Sequence, residues 1–278
     1  MSATVIHLAH SPDSDDAFMF YALAEGKVDA EDVEYVHELQ DIETLNQRAM
    51  RGELEVTAVS IHAYAYISDR YALLPHGASM GDRYGPKLVA RSPMSRSDVR
   101  GKRIAVPGPL TSAYLALRLY EPDFEPVFTP FDQIDDAVLK GEVDAGLLIH
   151  EGQLTYGSQG LHLIADMGEW WFGETGLPLP LGGNVIRKDL GEELTRKVSR
   201  HLRASIAYGL EHRDKALDHA MRYARGLERS DADTFVGMYV NEWTLDYGVR
   251  GREAIRQFLD RGVASGVIPK PVVVEFAD

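Results

Sequence analysis

His150 closes an apolar run, G-L-L-I-H-E over residues 146–151, and an imidazole placed there is suited to take a proton near neutral pH. Ser60 and His62 end an earlier run, V-T-A-V-S-I-H over 56–62, and are read either as ordinary strand-end polar residues or as ligand contacts. Thr111 and Ser112 stand before the apolar-periodic stretch 113–120 and are good N-cap residues in any case. In a functional reading, the first free N–H groups of that helix, with these hydroxyls, hold a carboxylate. Asp13, Asp15 and Asp16 crowd one turn, which raises the question of a metal. They lack the glycine and terminal glutamate of a calcium loop, so they read as partners of a helix dipole and no metal is expected.

Those groups need elements to bring them together, and the chain writes one such element twice. Residues 43–62 and 132–151 each carry a helical segment that ends at a basic residue and a glycine, Arg51-Gly52 or Lys140-Gly141. An acidic–apolar pair follows, then a short apolar run that stops at a polar cluster. Glycine just past a helix is the expected left-handed cap, and the run after it has the content of a buried strand. Two similar α/β lobes follow from this, with Ser60 and His150 at the carboxyl ends of equivalent strands, where open sheets bind ligands. The expected division puts residues 1–92 and 186–278 in a larger discontinuous lobe and 93–185 in a smaller one. The chain would cross between them near 88–93 and near 183–188. Helices are expected at 191–210, 213–225, 230–242 and 250–264. The Gly-, Pro- and Trp-rich passage 166–184 reads as largely irregular, with Trp170 and Trp171 available to cover a flat ring.

Composition narrows the function classes. At 278 residues, with 45% hydrophobic and 26% charged residues, the chain resembles an ordinary globular protein of one large or two smaller domains. A net charge of −14 works against nucleic acid and anionic membrane surfaces, and no apolar run is long enough to span a bilayer. The absence of cysteine removes thiolate nucleophiles and disulfides. The start lacks the pattern of a secretory signal, so the cytoplasm is the expected compartment. No Walker, dinucleotide or G-x-S-x-G pattern is found.

Four passages together resemble the 1,4-dihydroxy-6-naphthoate synthase family of the futalosine route to menaquinone: S-P-D-S-D-D-A-F-M-F-Y-A-L, R-I-A-V-P-G with T-S-A-Y after it, G-E-V-D-A-G-L-L-I-H-E, and W-W with T-G-L-P-L-P-L-G. The resemblance covers essentially the whole chain. It implies a two-lobed type II periplasmic-binding-protein-like fold with a central cleft, His150 as general base, and substrate contacts at Ser60, Thr111 and Ser112. Asp16, the acid this loop shares with the family pattern S-P-C-P-N-D-T-F, and His62 complete the expected substrate-binding set. Asp15 and Ala17 depart from that pattern, giving one more negative charge and one hydroxyl fewer. The implied reaction is conversion of cyclic dehypoxanthinyl futalosine, an anionic small molecule, to an aromatic naphthoate, with no cofactor needed because the aromatic product supplies the driving force. The alternatives are a solute-binding protein for a small carboxylate or aromatic anion, a paralogue with a changed ligand, and the chorismate-using dehydratase of the same route.

Overall fold

The computed structural model describes residues 3–224 and 227–277. The N-terminal part of the chain runs β1 (Thr4–His10), α1 (Ser14–Ala24), β2 (Val33–Leu39), α2 (Ile42–Arg51), β3 (Val56–Ser60), α3 (Ile61–Ile67), β4 (Tyr71–Leu73) and β5 (Ser79–Gly81). The middle part runs β6 (Lys87–Ala90), β7 (Arg103–Val106), α4 (Ser112–Tyr120), β8 (Glu125–Phe128), α5 (Ile134–Lys140), β9 (Ala145–Leu148), α6 (Gly152–Thr155) and β10 (His162–Asp166). Then come α7 (Met167–Thr175), β11 (Leu179–Arg187), α8 (Glu192–Glu211), α9 (Arg213–Ala220), α10 (Arg229–Tyr239), α11 (Glu242–Leu245) and α12 (Gly248–Ala264). The expected helix 213–225 ends in a residue outside those described. No helix among the described residues is long and apolar enough to cross a membrane.

The strands form two sheets. One has the order β2-β1-β3-β11-β4, with β5 also paired to β11; the other has the order β10-β6-β9-β7-β8. The repeated passages occupy matching places in the two. Helix α2 ends at Gly52 (φ 71°) before β3, and α5 ends at Gly141 (φ 76°) before β9. Any side chain at either glycine would strain a left-handed cap. Strand β3 has a parallel neighbour in β1 and an antiparallel one in β11; β9 has the same arrangement with β7 and β6.

The crossings fall earlier than the sequence suggested. The chain leaves the first sheet after Gly81 and enters the second at Lys87, because β6 pairs with β9 and β10 rather than closing the first lobe. It leaves the second sheet after Asp166 and re-enters the first at Leu179, well before residue 183. The passage read as irregular is in fact a helix and a long strand. Asp166 caps α7 by accepting from the Gly168 and Glu169 N–H groups (2.8 and 3.2 Å). Gly168 serves close packing there, since a Cβ would sit 1.8 Å from the Tyr84 carbonyl oxygen. Pro180 is tolerated in β11 because the register with β5 shifts beside it.

Asp166 also pairs with Lys87 of the neighbouring strand, both side chains being largely buried. Asp166→Ala would strip a helix cap and leave the Lys87 ammonium uncompensated. It is expected to lower unfolding free energy by about 3–5 kcal/mol, measured by urea denaturation; a loss below about 1 kcal/mol would contradict this.

Helices α8, α9 and α10 return to α1 and so complete the first lobe. Helix α12 instead packs on β11, α3 and α4, and one apolar core runs across both lobes. Trp171, fully buried, belongs to that core: its ring meets Phe258 edge-on at 5.3 Å and its indole N–H donates to the Pro178 carbonyl (3.1 Å). Trp170 packs on Tyr120 at 5.5 Å. Neither tryptophan faces the cleft, so the expectation that they cover a ligand is not met. Their apolar area is used to join the lobes.

Candidate functional site

Between the sheets lies a cleft enclosing a cavity of about 110 Å³. Asp13, Asp15, Asp16, Ser60 and Asn184 line it from the first lobe; Thr111, Ser112, Ala113, His150 and Gln153 line it from the second. The geometry therefore brings Asp16, Ser60, Thr111, Ser112 and His150 to one place.

His62 is the exception. It is 1% exposed and sits behind the wall, its Nδ1 3.3 Å from the Thr111 carbonyl oxygen. Burial pulls its imidazole down to about 4, so it is neutral at physiological pH. Its backbone N–H donates to the Ser112 hydroxyl (3.1 Å), which in turn donates to the Leu181 carbonyl (2.6 Å). His62 thus supports the α4 start from below instead of meeting the cleft. Two residues only two positions apart are separated by the turn into α3, and only the first lines the cleft.

The hydroxyls at α4 are already engaged. Thr111 Oγ1 donates to the Gly108 carbonyl (2.9 Å) and accepts from the Tyr114 N–H (3.2 Å), while Ser112 ties the α4 start to β11 and α3. What α4 has left to offer the cleft is the Ser112 and Ala113 N–H groups, at the positive end of its dipole. Ser60 faces them. Its backbone N–H donates to the Asn46 amide oxygen (2.9 Å) and its hydroxyl accepts from the Asn46 amide nitrogen (3.1 Å), leaving the hydroxyl proton to donate. Together these donors suit a carboxylate.

The other end of the cleft is built on His150. Strand β9 stops at Leu148, and His150 takes φ 52°, a left-handed conformation that non-glycine residues reach at a cost of roughly 1–3 kcal/mol. Its imidazole Nδ1 lies 3.1 Å from Asp13 Oδ2 of the opposite lobe. The Phe131 ring stands edge-on to it at 4.7 Å. Asp13 occupies the N-cap position of α1, yet its side chain makes no capping bond. The carboxylate turns to the imidazole and also accepts from the Ser11 hydroxyl. With Nδ1–H held by Asp13, Nε2 is the nitrogen left to meet a molecule in the cleft. From sequence alone, Asp13 reads as a dipole partner. The available signal was its place at the carboxyl end of β1, beside the strand ending in Ser60.

Asp15 and Asp16 are buried next to Asp13. Burial, reinforced by Asp16, Asp13 and Glu151, pushes the Asp15 carboxyl well above the carboxylate range. Burial likewise pushes Asp16 up to about 7, partly offset by the Ser11 N–H it accepts (2.7 Å). Asp15, the extra acid relative to the family pattern, is therefore biased by its surroundings toward the protonated form. The folded-state pKa of Asp16 exceeds that of an unfolded aspartate. Its contribution to stability is therefore full below about pH 4 and lost as the pH rises through about 7. Asp16→Asn keeps an acceptor for Ser11 and is expected to stabilise the fold at pH 8 by on the order of 2–4 kcal/mol, and by clearly less at pH 5. Denaturation at the two pH values checks this; an equal effect at both would contradict it.

Two α/β lobes, two crossings and a polar cleft between sheet ends define a protein of the type II periplasmic-binding-protein fold. The alkanesulfonate-binding protein of Xanthomonas axonopodis pv. citri shares that fold at 13% identity, with a TM-score of 0.75 over 99% of this chain and 97% of that one. Within the fold, the chain belongs to the menaquinone biosynthesis family, whose profile matches residues 6–264. It is 42% identical to the 1,4-dihydroxy-6-naphthoate synthase of Thermus thermophilus over 97% of this chain and 99% of that protein. It is 40% identical to the enzyme of the same name from Streptomyces coelicolor, over 97% and 96% of the two chains. A crystal structure of an Archaeoglobus fulgidus protein superposes with a TM-score of 0.90 at 50% identity, covering 95% of this chain and 98% of that one.

Proposed function

We propose that this protein is a lyase that converts cyclic dehypoxanthinyl futalosine to 1,4-dihydroxy-6-naphthoate in the cytoplasm. The observation that carries the reading is the His150–Asp13 pair set in the cleft opposite the donor-rich start of α4. The substrate carboxylate binds the Ser60 hydroxyl and the first N–H groups of α4, which places the reacting carbons toward His150. Nε2 takes a proton from carbon beside a carbonyl, and Asp13 faces the positive imidazolium that forms. The electron pair left on carbon forms a new double bond and expels the ribose-derived fragment, and aromatisation draws the step forward. Positioned acid–base catalysis of this kind is worth about 10²–10⁴ in rate.

A solute-binding protein of this fold needs donors for its anion but no carboxylate-held imidazole. That difference favours the enzyme. The deciding experiment is incubation of the pure protein with cyclic dehypoxanthinyl futalosine while naphthoate absorbance is followed. Catalytic product formation supports the proposal. Tight binding of an aromatic carboxylate with no turnover would replace it with the solute-binding reading, and dehydration of chorismate would replace it with the dehydratase.

A further inference from the structure

Gln153, which follows the proposed base by three residues, makes contacts that the reaction outlined above does not use. It lines the cleft and is 3% exposed. Its backbone N–H donates to the His150 carbonyl (3.1 Å), and with the side-chain amide turned so that its oxygen faces a donor and its nitrogen an acceptor, the oxygen accepts from the His150 N–H (3.2 Å). One residue thus meets both backbone polar groups of His150, the residue whose φ is 52°. The same amide extends in the other direction. Its nitrogen lies 2.7 Å from the Gly85 carbonyl oxygen, in the first crossing between the lobes, and 2.6 Å from the Tyr239 hydroxyl. Tyr239 is buried on α10 of the opposite lobe, and the neighbouring Tyr84 hydroxyl donates to the Met238 carbonyl. The crossing, α10 and the His150 turn are therefore bonded to one another through a single amide.

Two independent contacts, Gln153–Tyr239 and His150–Asp13, span the gap between the lobes. Both are complete only when the lobes are together. We infer that Gln153 is a positioning residue that sets the left-handed backbone of His150 and, through Gly85 and Tyr239, makes that setting depend on closure of the cleft. An open cleft would leave the imidazole turn without its outer supports, so the base would be aligned only once the substrate is enclosed. The inference rests on His150 being the base, but the backbone grip can be measured without substrate.

The test uses the full chain with Gln153→Ala and Tyr239→Phe, the latter keeping the ring and removing only the hydroxyl. With turnover as the readout, Gln153→Ala is expected to lower kcat by about 10- to 100-fold with KM little changed, as for a misplaced catalytic group. Tyr239→Phe should lie between it and wild type. In a His150→Asn background, Gln153→Ala should cost nothing further, since a residue acting through His150 has nothing left to position. An equal loss in both backgrounds would mean a general structural role and overturn the inference. A second readout is amide hydrogen exchange of the His150 N–H. Gln153→Ala should speed it by roughly tenfold or more while the β9 amides keep their wild-type rates. Unchanged exchange at His150 would overturn the grip outright. If the wild-type protein shows no turnover, the proposed reaction fails, while the exchange measurement still decides whether Gln153 holds the turn.

Discussion

His150→Ala is expected to lower kcat by about 10²–10⁴-fold, leaving a slow residual turnover, while ligand affinity and fold are nearly kept. The side chain is 18% exposed and its principal partner, Asp13, keeps the Ser11 hydroxyl when the imidazole is gone. Unfolding free energy should therefore change little. His150→Asn is the sharper variant, because it offers a similar polar shape without a basic nitrogen. Single-turnover rates set against ligand affinity separate the two roles. Near wild-type rates in both variants would remove His150 from the chemistry. His62 could not simply take its place, being buried behind the cleft wall, where burial makes its imidazole a weaker base.

Asp13→Asn is expected to produce the next largest loss, about 10- to 10³-fold in kcat with KM close to wild type. The carboxylate accepts the Nδ1 proton and faces the charge that appears on the ring as Nε2 takes up the substrate proton. An asparagine in either amide orientation keeps the volume but not the charge, and half of its hydrogen-bonding capacity has the wrong sense for Nδ1–H. Because the pair joins the two lobes, the substitution should also slow closure on ligand, seen as a lower association rate in stopped-flow binding. A variant with wild-type kcat would show that the imidazole needs no orienting partner. That result would leave Phe131 as the element that holds the ring.

These two expectations rest on a contact between residues that lie far apart in sequence and in opposite lobes, which bears on what the chain reveals before it folds. Local rules were sufficient for the framework. The glycines at 52 and 141 end helices in the left-handed conformation, the runs after them are buried strands, and Thr111 caps α4 through its hydroxyl. Each of these depends on residues within one or two turns, so their periodicity and capping chemistry are written in the sequence itself. The doubling of that pattern was enough to put Ser60 and His150 at matching strand ends. Tertiary structure decided the rest. Asp13, Asp15 and Asp16 look alike as three acids at a helix start, yet one orients an imidazole and the other two are buried with raised pKa values. What separates them is the direction each side chain takes once the second lobe is in place. Ser112 reads as a ligand-binding hydroxyl until Leu181 and the His62 N–H arrive to occupy it. The tryptophans read as a ring cover until Phe258 of α12 meets Trp171 and Tyr120 of α4 meets Trp170. Helix and strand signals repeat at short range, whereas the partner of a polar side chain is fixed by where distant segments come to rest, and no local spacing encodes that distance.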